Sequence, residues 1–283
     1  MTMLDTSRDI TWYRPNQRHE IGFLRTWLIM GRNIVRAREL VWQLFKRDFL
    51  AGYRKSYIGF TWIFLSPILG IVSWLILKYA GLLKAADPAE LLVGTAMWGL
   101  FLGLYTASSQ TLTSGASLVM QVSYPHEALL FKQVAQQVAN FTLSFITIAV
   151  TLAVLKVVPS WKTVFLPLVL LPMFFLASAM GLVFSMIKVV AIDLDKAVNA
   201  SIGLALFLTP VIYTTEAPHP FLQVVNRWNP LTYLICSARD ILLKGRLYDA
   251  PGYFICAAGA FLAFMIAWRL FYVSEDKIVE RMI

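Results

Sequence analysis

Charge is what this 283-residue chain has least of: 14% of its residues are Asp, Glu, Lys or Arg, against 58% hydrophobic residues and a mean hydropathy of +0.66. A soluble domain of this size could not hide so much apolar surface in one core. The shortage is also local. Windows 57–77, 91–110, 134–155, 163–187 and 197–215 hold no charged residue, and a sixth, 251–273, holds only Arg269 near its end, where the side chain can reach the headgroups. At about 1.5 Å per helical residue, such windows match the roughly 30 Å hydrocarbon core of a bilayer. The expectation is an all-α polytopic membrane protein with six transmembrane helices.

Other absences narrow the chemistry. No Gly-Lys dipeptide occurs, so there is no P-loop through which the chain itself could bind ATP. His126-Glu127 begins like a zinc-protease motif, but Leu130 stands where the second imidazole belongs. Asp193-Leu194-Asp195 is the sole Asp-x-Asp; in a glycosyltransferase it would hold a metal, yet here it occupies a short loop with no catalytic domain around it. Cys236 and Cys256 lie in apolar surroundings without ligand or disulfide spacing and read as small buried hydrophobes. We therefore expect no catalytic residue, metal or cofactor in this chain. The first five windows also lack the ionisable groups that a proton or sodium symporter needs at mid-depth, which points to an external motor.

What charge there is clusters at the start. Residues 1–56 carry 11 of the 25 Lys and Arg against 5 acids, a cytoplasmic membrane-surface signature rather than a nucleic-acid one. The apolar run Trp27–Met30 is too short for a signal peptide. Six spans then put both termini in the cytoplasm, although beyond residue 56 the inside holds only Lys132, Lys188, Lys196, Lys277 and Arg281 against eight Lys and Arg outside. Two domains follow: a cytoplasmic segment, 1–56, and a membrane domain, 57–283.

Two segments look helical without spanning. In 20–53, apolar residues at spacings of three and four alternate with Arg and Lys, which predicts one or two amphipathic helices in the cytoplasmic interface, with Trp27, Val41, Leu44, Phe45 and Phe49 toward the acyl chains; a soluble helical hairpin is the alternative. In 216–250, Asn229 is an N-cap, Pro230 the first helical residue and Gly245 a stop, with a second short helix before them. These are expected as two short re-entrant or interfacial outer-side helices between spans five and six.

Aromatic residues reach 14%. Trp98, Phe101 and Tyr105 share one helical face, as do Phe60, Phe64 and Trp74 around Pro67. They either pack helices or line a path on which pyranose rings stack. The loop Ser123-Tyr124-Pro125-His126-Glu127 reads as a short proline-started helix, a handle for a soluble partner.

The run ELVWQLFKRDFLAGYRKSYIGFTWIFLSPIL, the loop SYPHEALL and the segment NPLTYLICSARDILLKG together resemble permease subunits of ABC-2 type exporters for O-antigen, teichoic acid and capsular polysaccharide. The resemblance runs from about residue 38 to the end. It implies a homodimer in a bacterial inner membrane around a conduit for a lipid-linked polysaccharide, with two copies of a separate ABC ATPase carrying ATP and Mg. It places Ser123, Tyr124, Pro125, His126 and Glu127 on the ATPase coupling helix, and Asn229 and Pro230 at the start of the second outer-side gate helix. Phe60, Phe64, Trp74, Trp98, Phe101 and Tyr105 are the candidate conduit residues. A drug or small-lipid exporter of the same fold is the alternative, and a membrane glycosyltransferase using Asp193 and Asp195 a further one. Where the family often has Arg-Asp-Leu, this chain has Ile192-Asp193-Leu194; its first 37 residues exceed the family minimum and could serve anionic lipids or the ATPase.

Overall fold

The computed structural model describes residues 23–54, 61, 65, 68–70, 72–73, 76, 79–81, 87–111, 127–215 and 219–280. Every regular element among them is helical: α1 (Phe23–Arg36), α2 (Arg38–Arg54), α3 (Pro88–Ser109), α4 (Glu127–Val154), a 3₁₀ turn (Trp161–Phe165), α5 (Leu166–Val190), α6 (Ile192–Ala205), α7 (Pro220–Trp228), α8 (Pro230–Leu243) and α9 (Ala250–Glu280).

Four segments are long and apolar enough to cross a membrane: Pro88–Ser109, Ala128–Val154, Trp161–Lys188 and Ala250–Ser274. They correspond to the second, third, fourth and sixth sequence windows. Most of the first window lies outside the described residues. α3 starts sharply because Asp87 accepts a hydrogen bond from Ala89 N at 3.2 Å and Pro88 occupies the first turn. α5 packs most extensively against α9 and α3, and α3 against α4. The α3–α5 crossing is close because Gly181 offers no side chain: a Cβ there would fall 2.7 Å from Tyr105 O and 2.9 Å from Ser109 N.

The fifth window departs from the expected span. α6 covers only 14 residues, roughly 21 Å, and residues 206–213 turn irregularly. Pro210 cannot donate into a continuing helix and disfavours helical geometry in the residue before it. The backbone released there is received by side chains of α8 and its cap. Asn229 Nδ2 donates to Leu208 O at 3.2 Å and Thr209 Oγ1 at 2.8 Å, and Arg239 Nη1 donates to Pro210 O at 3.3 Å. Irregular backbone at this depth is tolerable because Thr209, Val211 and Ile212 are buried in protein.

The short pair α7 and α8 forms where the sequence placed it. Asn229 accepts from Leu231 N at 3.0 Å with Pro230 as first helical residue, and Gly245 turns the chain with φ 68°.

The N-terminal segment forms two helices, joined through Ala37, whose N–H reaches Asn33 O and whose carbonyl accepts from Val41 N, both at 2.9 Å. Their apolar residues divide between two surfaces. Trp27 packs edge-on to Trp268 of α9 with ring centroids 5.3 Å apart, and Met30 and Leu44 are buried, so Trp27 and Leu44 serve the bundle instead of the acyl chains. Trp42 stays exposed and stacks in series with Phe45 and Phe49 along α2, at 5.5 and 5.6 Å.

Candidate functional site

A polar line runs along α4. Gln133, Gln137, Asn140 and Ser144 recur at spacings of four, three and four, so they share one face over about 17 Å of helix. At the lower end Thr111 Oγ1 and Gln133 Oε1 meet at 3.1 Å, beyond the end of α3. Farther along, Gln137, Asn140, Phe141 and Ser144 face Thr95 and Gly99 of α3 across a cavity of about 340 Å³ that Gly70 also borders. Gly103 leaves room for the amide, since a Cβ there would stand 2.7 Å from Gln137 Oε1. Thr95 turns its hydroxyl back to Leu91 O at 2.7 Å and Leu92 O at 3.0 Å. None of the lining side chains among the described residues is ionisable. The groove therefore offers amides and hydroxyls at membrane depth without the desolvation cost of a fixed charge.

The aromatic candidates occupy another face. At 100° per residue, the face of Trp98, Phe101 and Tyr105 is centred roughly 130° around α3 from that of Thr95, Gly99 and Gly103. They are 7, 1 and 1% exposed and belong to the chain's own core, where Tyr105 meets Phe184 of α5 edge-on at 6.1 Å. Phe60, Phe64 and Trp74 lie outside the described residues, as do Ser123, Tyr124, Pro125 and His126; Glu127 is the first residue of α4. Asn229 and Pro230 start α8, as above. The sequence reading missed Gln137, Asn140 and Ser144. Their signal is present in the sequence, as uncharged polar residues at helical spacing in an apolar window.

Both ends of the bundle carry charge. Beside the start of α3, Arg239 Nε pairs with Asp240 Oδ1 at 3.2 Å, and Lys244 Nζ lies 2.7 Å from Glu90 Oε1 and 3.5 Å from Asp240 Oδ1. In the same helix, burial pushes the Cys236 thiol up to about 12. At the other end, Lys132 Nζ of α4 meets Asp48 Oδ2 of α2 at 2.8 Å, while Arg47 Nε holds Oδ1 at 2.7 Å. Burial alone would raise the Asp48 carboxyl, but hydrogen bonds from Arg47 and Lys132 outweigh it and hold it below the ordinary carboxylate value. Lys188 reaches Asp195 at 3.0 Å, so a lysine one turn before the α5–α6 junction supplies the cation that Ile192 does not. That pairing also engages one of the two aspartates of the Asp-x-Asp. No group of three or more His, Cys, Asp or Glu that could hold a metal occurs among the described residues.

Among the described residues, long apolar helices, a groove lined by uncharged side chains and ion pairs near the helix ends define a multi-pass membrane protein. The ABC-2 type transporter family model matches residues 39–243, and the chain belongs to that family. It is similar to the O-antigen export system permease protein RfbA of Myxococcus xanthus, at 26% identity over 253 residues, covering 88% of this chain and 97% of that protein. Two Klebsiella pneumoniae proteins of the same name are 24% and 22% identical, covering 71% and 78% of this chain and 79% and 86% of their own lengths.

Proposed function

We propose that this chain is the permease subunit of an ATP-driven exporter that moves a lipid-linked polysaccharide, O-antigen-like or teichoic-acid-like, outward across the bacterial inner membrane. The observation that carries the reading is similarity over 97% of the length of a relative named for O-antigen export. The groove supports it, because amides and hydroxyls can exchange hydrogen bonds with sugar hydroxyls that have left water, with no fixed charge to trap them. The chain acts as a homodimer with two copies of an ABC ATPase, which carries ATP and Mg, and both termini and α1–α2 lie on the cytoplasmic side.

In this reading the loop 123–127 contacts the ATPase, α7 and α8 stand at the outer exit, and the first window completes six spans with α6 and its irregular continuation. Phe60, Phe64 and Trp74 supply stacking surfaces to the conduit. Trp98, Phe101 and Tyr105 pack α3 into the core while a different face of it borders the groove.

The double substitution Gln137→Leu/Asn140→Leu keeps volume near constant and removes both amides. Lipid-linked glycan reaching the cell surface should fall roughly tenfold, the equivalent of about 1.4 kcal/mol lost along the path, with basal ATP hydrolysis of the complex unchanged. Full surface glycan in a normally inserted double variant would remove the groove from the path. A chain whose deletion leaves surface glycan intact would remove the export reading altogether.

A further inference from the structure

We propose that the Asp48–Lys132 ion pair is the mechanical joint through which movement at the start of α4 reaches α2, so that both are positioning residues for ATP-driven export. The inference rests on the permease reading above and adds a transmission element to it.

Lys132 is 6% exposed, and an ammonium so deeply covered is stable only with its partner in place. Asp48 meets it from a helix 84 residues away in sequence. Both carboxylate oxygens are engaged, one by Lys132 and one by Arg47, which fixes the direction in which the carboxylate faces α4. Beside the pair α2 packs against α4, with Leu44, one turn before Asp48 on α2, buried, and Ala128, Leu129 and Leu130 buried at the start of α4. Such apolar surfaces slide over one another at small cost. A charged pair at 2.8 Å whose lysine is covered does not, because separating it leaves a buried ammonium uncompensated.

The position of the pair in the chain gives this stiffness a use. Lys132 stands five residues after Glu127, where the loop proposed to meet the ATPase enters α4, and one residue before Gln133, where the polar line begins. Asp48 stands near the end of α2, after which the chain runs into the first apolar window. A displacement of the first turn of α4 is therefore handed to α2, and through it to the window containing Gly70 on the groove's edge. Without the pair, α4 moves alone and the two sides of the groove lose register.

The test uses the purified complex of this chain with its ATPase subunit in vesicles loaded with lipid-linked glycan extracted from the host strain. It measures glycan translocated per ATP hydrolysed for Asp48→Asn, Lys132→Gln and the exchange Asp48→Lys/Lys132→Asp. The single variants should hydrolyse ATP within about twofold of the parent but move roughly tenfold less glycan per ATP, and the exchange should recover at least about half of the loss. An unchanged ratio in assembled single variants overturns the joint, and so does an exchange that inserts normally yet stays as uncoupled as the single variants. If the single variants do not insert, the exchange decides: insertion with a restored ratio supports the joint, and failure to insert overturns it. A parent complex that moves no glycan with ATP defeats the permease reading itself, a result distinct from selective uncoupling in the variants.

Discussion

Asn229 does two separable jobs, and two substitutions distinguish them. Its Oδ1 accepts from Leu231 N at 3.0 Å, capping α8, while its Nδ2 donates to Leu208 O at 3.2 Å and Thr209 Oγ1 at 2.8 Å, holding the irregular end of the fifth window. Loss of the cap costs about 1 kcal/mol, and each donated bond contributes about 0.5–1.5 kcal/mol. Asn229→Ala should therefore destabilise the protein by roughly 2–4 kcal/mol, a fall of roughly 3–7 °C in Tm for a chain of this size. Asn229→Asp keeps the acceptor and adds a charge favourable at a helix N-terminus, but loses both donors, so its fall should be roughly half as large. Thermal unfolding of the purified protein in one detergent, followed by tryptophan fluorescence, compares the two directly. Equal losses for Ala and Asp would show that the cap contributes nothing. A wild-type Tm for Asp would show that Asn229 does not hold residues 208–209.

Gly181→Val should cost about 1–3 kcal/mol by forcing α3 from α5, because the new Cβ meets the Tyr105 carbonyl and the Ser109 N–H, atoms that cannot rotate away; Gly203→Ala, with nothing within 4 Å, should be neutral or stabilising in the same unfolding assay. A Gly181→Val protein with an unchanged Tm would contradict the close crossing. Cys236, fully buried with its thiol pushed up to about 12, should resist maleimide in a Cys256→Ser background between pH 7 and 9, since thiolate stays scarce throughout that range, and should label once SDS is added; rapid labelling of the folded protein would refute its burial.

How far the fold was legible depends on whether the cause of each element is local. α8 was readable because Asn229, Pro230 and Gly245 act on their own backbone within a turn. The four long helices were readable because composition alone requires a bilayer. The fifth window was not, because an apolar run looks the same whether its helix continues or breaks. The break after Ala205 is supported by Asn229 and Arg239, which lie more than twenty residues farther along. Helix rotation was hidden for the same reason: in a window apolar on every side, nothing in the sequence says that Trp98, Phe101 and Tyr105 turn inward. The polar line of α4 is visible in the sequence as Gln133, Gln137, Asn140 and Ser144 at helical spacing, but the neighbouring helix that makes it a groove is not. Lys132 could be assigned to the end of a span, but its partner Asp48 could not, since no local rule pairs residues 84 positions apart.

The distribution of charge follows from the medium more than from any one contact. Ion pairs occur where the helices end, with Arg239, Asp240, Lys244 and Glu90 at one end and Asp48, Lys132, Lys188 and Asp195 at the other. There Lys132, Arg239 and Asp240 are buried and depend on their partners, while Arg47 and Lys244 reach toward solvent, and pairs such as Lys132–Asp48 and Lys244–Glu90 tie one helix to another. Between these ends the groove presents amides and hydroxyls, which hydrogen-bond in either sense and so suit the sugar polymer proposed above. A stiff, charged frame around a neutral, adaptable middle separates two tasks that conflict at one site. Holding helices in register favours strong, directional pairs, and letting a long substrate slide favours weak, interchangeable contacts. The ABC-2 chain separates them along α4 itself, with Lys132 near the helix start and the groove's Gln137, Asn140 and Ser144 roughly 8, 12 and 18 Å farther along.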